Sequence, residues 1–129
     1  MKKTISLTLS VTFLAGIIYT LTGAGIAQTS NTSNITMDNG IQTITIIAKN
    51  GYTPAMTIAQ ADIPTQLIIK TDGTYDCSRS LFIESLNYRN LLSASGEQKL
   101  AVATPKSGEV VQGVCGMGMY RFKVAFSGS

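Results

Sequence analysis

Residues 120–126, YRFKVAF, place apolar side chains at Phe122, Val124 and Phe126 in alternation with charged or small ones. A period of two puts the apolar side chains on one face of a β-strand. The same period appears at 42–49, where isoleucines alternate with threonines. Both segments therefore predict strands with one buried face.

Five further β-prone runs lie between these two segments, at 55–59, 66–71, 80–83, 98–103 and 110–114. Turn dipeptides such as Asn50-Gly51 and Asp72-Gly73 separate the runs, and three prolines interrupt any helical continuation. The segment 86–94 is compatible with one short helical turn, a point that the sequence leaves open. The pattern predicts one antiparallel all-β domain of the sandwich or barrel type.

Composition excludes several classes of function. The chain has 129 residues, enough for one domain, and it contains no histidine and only two cysteines. The lack of histidine excludes Ser/His/Asp and Cys/His catalysis and blue-copper sites, and two cysteines are too few for a four-thiolate zinc or iron–sulfur site. Residues 28–129 carry 8 basic and 7 acidic side chains, which does not indicate nucleic-acid binding. We therefore expect a protein that is not an enzyme.

The N-terminal region predicts a membrane segment. Two lysines precede an uncharged stretch that runs to Ala27 and exceeds the ~20 residues that span a bilayer. It can remain as an anchor, or it can be a cleaved signal, since Gly25 and Ala27 suit a cleavage site. We expect residues 1–27 to be this segment, 28–40 a flexible tether rich in Ser, Thr and Asn, and 41–129 the β-domain, at the extracytoplasmic face of the membrane or secreted.

Sulfur-bearing side chains are concentrated in Cys115-Gly116-Met117-Gly118-Met119, just before the last strand. Spacing of i, i+2 and i+4 can direct the three sulfurs to one side, and the glycines let the backbone curl. Thiolates and thioethers are soft donors that select Cu(I), or Ag(I), over Zn(II). Cys77 lies far upstream in a polar turn, and it is the other thiol available to such a site.

Structural roles compete with this interpretation. Exported domains often join two cysteines in a disulfide, so Cys77 and Cys115 could instead stabilise an extracellular interaction domain that binds no metal. The loop methionines could fill the core. We expect Met56 to be a core residue and Met37 to be solvated in the tether. Two tyrosines, at positions 75 and 120, could shield a metal or simply pack.

Three elements together resemble the cupredoxin-like proteins, specifically the CupA type of membrane-anchored Cu(I) chaperone. They are Gly51-Tyr52-Thr53-Pro54 before a strand, Cys77-Ser78-Arg79, and the highly specific Cys115–Arg121 motif, CGMGMYR. The resemblance covers about residues 41–127 and implies a Greek-key β-sandwich or barrel. The segment Glu109–Gly113 departs from related domains, which usually carry an aromatic residue there.

The resemblance also implies a ligand set and a role. Two Cu(I) ions would be held by Cys77 and Cys115, with Met117 and Met119 completing the coordination. The cargo would pass to a copper-exporting P-type ATPase in copper resistance. We expect a monomer with copper ions, this ATPase and the membrane as its partners.

Overall fold

The computed structural model describes residues 34–128, which form two five-stranded β-sheets. The strands are β1 Ile35–Asp38, β2 Ile41–Ala48, β3 Tyr52–Thr53, β4 Met56–Gln60, β5 Thr65–Thr71, β6 Ser80–Ile83, β7 Tyr88–Leu91, β8 Gly96–Ala103, β9 Val110–Cys115 and β10 Arg121–Ser127. Two short 3-10 turns occupy Cys77–Arg79 and Glu84–Leu86. The predicted all-β class is confirmed, and neither sheet closes into a barrel.

The two sheets differ in strand order. The first has the order β1-β2-β5-β8, with β3 paired to β2, and the second has the order β4-β10-β9-β6-β7. The β2–β5 and β4–β10 pairs are parallel, so the prediction of a purely antiparallel domain is wrong at these two places. The first of these parallel pairs arises because the chain crosses from β3 in the first sheet to β4 in the second. The chain then returns as β5 beside β2 in the same direction.

The core lies between the two sheets. Inward-facing side chains of β2 and β5 meet those of β6 and β10; these residues are Ile44, Ile46, Leu67, Ile69, Leu81, Ile83, Phe122, Val124 and Phe126. Removing each large apolar side chain from water contributes about 1.5–3 kcal/mol before the entropy of ordering is counted. The rings of Tyr52 and Phe122 join the sheets in an edge-to-face contact, with centroids 5.1 Å apart. The architecture is a two-layer sandwich, as the period-two runs predict.

Two segments differ from the sequence-based expectations. Strand β1 lies inside 28–40, where a tether is predicted, and pairs antiparallel with β2, so paired structure begins at Ile35 rather than near Ile41. In 86–94, the 3-10 turn ends at Leu86 and four of the nine residues, Tyr88–Leu91, form strand β7. Neither strand shows a strong apolar period, because most of their side chains are exposed.

The predicted membrane segment, 1–27, lies outside the described residues, and its cleavage or retention stays a prediction. Within 34–128, every helical segment is too short to cross a bilayer.

Candidate metal centre

The structure brings the two cysteines together at one end of the sandwich. Cys115 is the last residue of β9, and Cys77 begins the 3-10 turn that leads into β6. Both are free thiols, and their Sγ atoms are 3.0 Å apart. Cys115 is buried, whereas Cys77 is partly exposed. The pair is thus open to solvent from the side of Cys77.

Hydrogen bonds to its neighbours hold the turn that carries Cys77. The Asp76 carboxylate accepts bonds from the backbone N–H of Ser78, at 3.2 Å, and from the Ser78 hydroxyl, at 2.8 Å. The buried Tyr52 hydroxyl donates to the carbonyl oxygen of Ser78, at 3.1 Å. Because the Tyr52 ring is packed against Phe122, this bond ties the turn to the core. Sequence reasoning assigned no such role to Tyr52, and its place in the Gly51–Pro54 motif was the one signal.

A tight turn after β9 presents the rest of the sulfur motif. The backbone N–H of Gly118 donates to the Cys115 carbonyl at 2.8 Å, and the N–H of Cys115 donates to the Tyr120 carbonyl at 3.0 Å. The N–H of Tyr120 points at the Cys115 sulfur, at 3.4 Å. Gly118 has φ +73°, a conformation that other residues adopt only with strain.

Gly116 is required by a close approach to β6. Its N–H donates to the Ser80 carbonyl at 2.8 Å. A Cβ atom at this position would lie 2.5 Å from the Ser80 hydroxyl oxygen and 3.3 Å from the Ser80 Cβ. The absence of a side chain therefore lets the loop lie against the start of β6, next to the turn of Cys77.

The loop methionines project into solvent. Met117 is 79% exposed and Met119 is 66% exposed, and neither belongs to the buried cluster. The alternative that they fill the core is therefore wrong. Two thioethers and two thiols occupy the same end of the domain, with the thiols paired and the thioethers exposed to solvent.

The expectation for Met56 is also wrong, because its side chain is 48% exposed. In β4 the smaller Thr57 and Ala59 face the core instead. The buried Thr57 hydroxyl accepts a hydrogen bond from the Asn34 side-chain amide at 3.0 Å, which stabilises this orientation. Met37 is exposed as expected, although it lies in β1.

The two tyrosines flanking the sulfur motifs have different surroundings. Tyr75 is almost fully exposed. Tyr120 is partly buried and lies over Gly51, where a Cβ would be 3.3 Å from its ring. Tyr120 thus packs the Gly51 turn against the Cys115–Met119 loop.

The two thiols of the close pair have pKa values shifted in opposite directions. The hydrogen bond with Cys115, together with burial, raises the pKa of Cys77 to about 11. Burial acts to raise the pKa of Cys115 as well, but hydrogen bonds from the Cys77 thiol and the Tyr120 amide outweigh it and lower that pKa. Burial and the nearby cysteines raise the pKa of Tyr52, which keeps its hydroxyl a neutral donor. The first thiolate to form is therefore that of Cys115.

Residues 34–128 contain no cluster of three or more His, Cys, Asp or Glu side chains that could hold a metal ion. A soft metal ion bound at the thiol pair could take the loop methionines as further ligands. Such a donor set is soft and suits a monovalent soft ion.

Comparison with solved structures gives copper-binding neighbours. The fold is similar to the metal-binding domain of the Cu(I)-exporting P-type ATPase CopA of Streptococcus pneumoniae D39, crystallised with Cu(I); the TM-score is 0.62 and the identity 25%, over 71% of this chain and 91% of that domain. It is also similar to a copper-binding protein solved by NMR in its apo form, with a TM-score of 0.61 and 21% identity over 71% and 93% of the two chains. No family model and no curated protein matches the sequence.

Proposed function

We propose that this chain is an extracytoplasmic Cu(I) chaperone or buffer with a Greek-key cupredoxin-like fold of the CupA type. It binds up to two Cu(I) ions through Cys77, Cys115, Met117 and Met119. It passes them to a copper-exporting P-type ATPase in copper resistance. The observation that carries the proposal is the pairing of two free thiols, 3.0 Å apart, beneath a loop with two exposed methionines.

The chemistry of these four side chains fits a cargo site. Two thiolates bind a monovalent soft ion tightly, whereas neutral thioethers bind it more weakly. Because Met117 and Met119 are exposed, an incoming ligand can replace them one at a time. Ions are then released by ligand exchange, without unfolding of the domain. The likeness to a Cu(I) ATPase domain supports copper as the cargo.

Cu(I) binding competes with protons at the two cysteines. The thiolate of Cys115 is the first donor available, because its pKa is lowered. Cys77 must lose its proton to solvent when the ion binds, because the pKa of about 11 keeps it protonated near neutral pH. The affinity for copper should therefore rise with pH.

Titration of the reduced protein with Cu(I) against a colorimetric chelator tests the proposal. We expect two equivalents, and Cys115→Ser should lose most of both. Replacing Met117 and Met119 with leucine should lower the affinity for one of the two ions and leave tight binding of the other at the cysteines. The matched control is the Met37→Leu/Met56→Leu protein, because these two methionines are also exposed but lie in strands.

Three outcomes would contradict the model. One equivalent, or none with both thiols confirmed as free, would remove the two-ion site. An equal loss of Cu(I) affinity in the Met117/Met119 variant and in the Met37/Met56 control would show that the loop methionines are not ligands. A reduced protein that is unfolded and insensitive to Cu(I) would favour the disulfide-stabilised interaction domain.

A further inference from the structure

The strands of the second sheet carry charged side chains of one sign only, unlike the strands of the first sheet. Its five strands, β4, β10, β9, β6 and β7, contain three basic side chains and no acidic one. The basic residues are Arg89, Arg121 and Lys123, all exposed. The first sheet is mixed, and there Lys70 forms a salt bridge with Glu97 at 3.3 Å. Within residues 34–128, no acidic side chain forms a salt bridge with any of the three.

Strand register places these cations on the outer face, near the sulfur loop. Arg121 pairs with Val114, Val114 with Phe82, and Phe82 with Arg89, which makes one row across the sheet. The row lies at the same end as Cys115, because Cys115 directly follows Val114. The Arg89 guanidinium stacks over the Phe82 ring, 4.7 Å from its centroid, and is thereby held in place.

The next row of this face is apolar and basic as well. Lys123 pairs with Met56 on one side and with Gln112 on the other. Met56 is exposed, as is Ile58 one row further on. Glu109 precedes β9 and stands at the opposite end of that strand from the loop, whereas Glu84 directly follows Ile83, the partner of Gly113, and lies nearer the middle of β9. The basic face is the set Phe82, Arg89, Val114, Arg121, Lys123 and Met56.

We propose that this basic face is the docking surface for an acidic protein domain that exchanges copper with the Cys77–Cys115 site. This inference rests on the proposed function for the exchange, and on charge and position for the surface. An apolar centre flanked by arginines is typical of protein interfaces, and arginines bind carboxylates in bidentate geometry. An anionic bilayer is less suited, because lipid recognition uses clusters of about 4–8 basic residues. A partner seated here would touch Met119 and Met117 at its edge.

The test uses the full chain and two fluorescent peptides, each with one Cys-x-x-Cys sequence flanked by glutamates or by glutamines. Anisotropy measures metal-free association, and Cu(I) transfer rates are measured afterwards. The variant is Arg89→Gln/Lys123→Gln. Arg121 is left unchanged because it adjoins the methionine loop. The matched control, Lys99→Gln/Lys106→Gln, removes the same charge from exposed lysines outside the second sheet. Thermal melts confirm that both variants fold.

We expect the parent to prefer the glutamate peptide, with affinity that falls as salt rises. In the basic-face variant, the affinity for the glutamate peptide and the rate of Cu(I) transfer should each fall about fivefold. In the control, both quantities should stay close to those of the parent. Equal losses in the two variants would overturn the proposal, because only net charge would then matter. So would a lack of preference between the peptides, or binding to phosphatidylserine vesicles that the basic-face variant alone reduces while peptide binding is unchanged.

The two proposals can fail separately. If the parent binds no Cu(I) but prefers the glutamate peptide through Arg89 and Lys123, the surface stands and its role in copper exchange is refuted. If Cu(I) binds and transfers equally fast to both peptides, the chaperone proposal stands and the docking surface is refuted.

Discussion

Tyr52→Phe isolates a single hydrogen bond that supports the turn of Cys77. The change removes the hydroxyl that donates to the Ser78 carbonyl at 3.1 Å and keeps the ring that meets Phe122. Both partners are buried, with Tyr52 6% and Ser78 0% exposed, so the carbonyl would be left without this donor. We expect the free energy of unfolding to fall by about 1–3 kcal/mol. Each kcal/mol should lower the Tm of a domain this size by about 4–8 °C.

The assay is thermal and urea unfolding of the reduced, metal-free protein. Tyr75→Phe is the matched control, because it deletes the same atom from a side chain that is 81% exposed. The control should change stability by less than about 0.5 kcal/mol. Equal stability of the two variants would refute the argument that the Tyr52 bond supports the fold. If Tyr52→Phe is less stable yet binds Cu(I) as tightly as the parent, the bond does not position Cys77 for the metal.

Further predictions concern the same end of the domain. At a pH between the lowered pKa of Cys115 and the pKa of about 11 at Cys77, the binding of Cu(I) releases one proton. The logarithm of the Cu(I) affinity should therefore rise by about one per pH unit, and competition titrations that give a flat profile would contradict this. Gly116→Ala should destabilise the domain by about 1–3 kcal/mol through its clash with Ser80, and adding Ser80→Ala should recover part of the loss in urea unfolding. Ag(I) should displace Cu(I) in dialysis, whereas stoichiometric displacement by Zn(II) would mean that other ligands take part. The reduced, metal-free protein should melt cooperatively, with a midpoint that Cu(I) raises, and a broad transition would argue for a structural disulfide.

The strands with a strong apolar period were predictable from sequence. In β2 and β10 the alternation is set by large apolar side chains, and the structure buries Ile44 and Phe122 as that alternation requires. In β4 the same reasoning chose the wrong face. Met56 and Ile58 are the more apolar pair, but a strand shifted by one residue exchanges its faces completely. The buried contact between Thr57 and Asn34 joins distant parts of the chain, so no local pattern reports it.

The sulfur-bearing loop could be singled out from the sequence, but its geometry could not. Cys115 and the two methionines belong to one short motif, whereas Cys77 reaches the site only through the pairing of β6 with β9. That pairing is long-range, and its register depends on both strands at once. The parallel pairing of β4 with β10 was missed for the same reason. Tyr52 was missed because a buried hydroxyl leaves no period in the sequence.

The place of β10 between β4 and β9 has a consequence for the order in which the protein assembles. Strand β10 pairs with β4 across about 67 positions of chain, as in the partners Met56 and Lys123, and it follows every other strand of its sheet in synthesis. Until β10 has been synthesised, β4 has no neighbouring strand in the second sheet. The turn after Cys115 also lacks the strand that follows it. A growing chain can therefore pair Cys77 with Cys115 through β6 and β9 first, and the loop that carries the two methionines closes only when β10 has emerged.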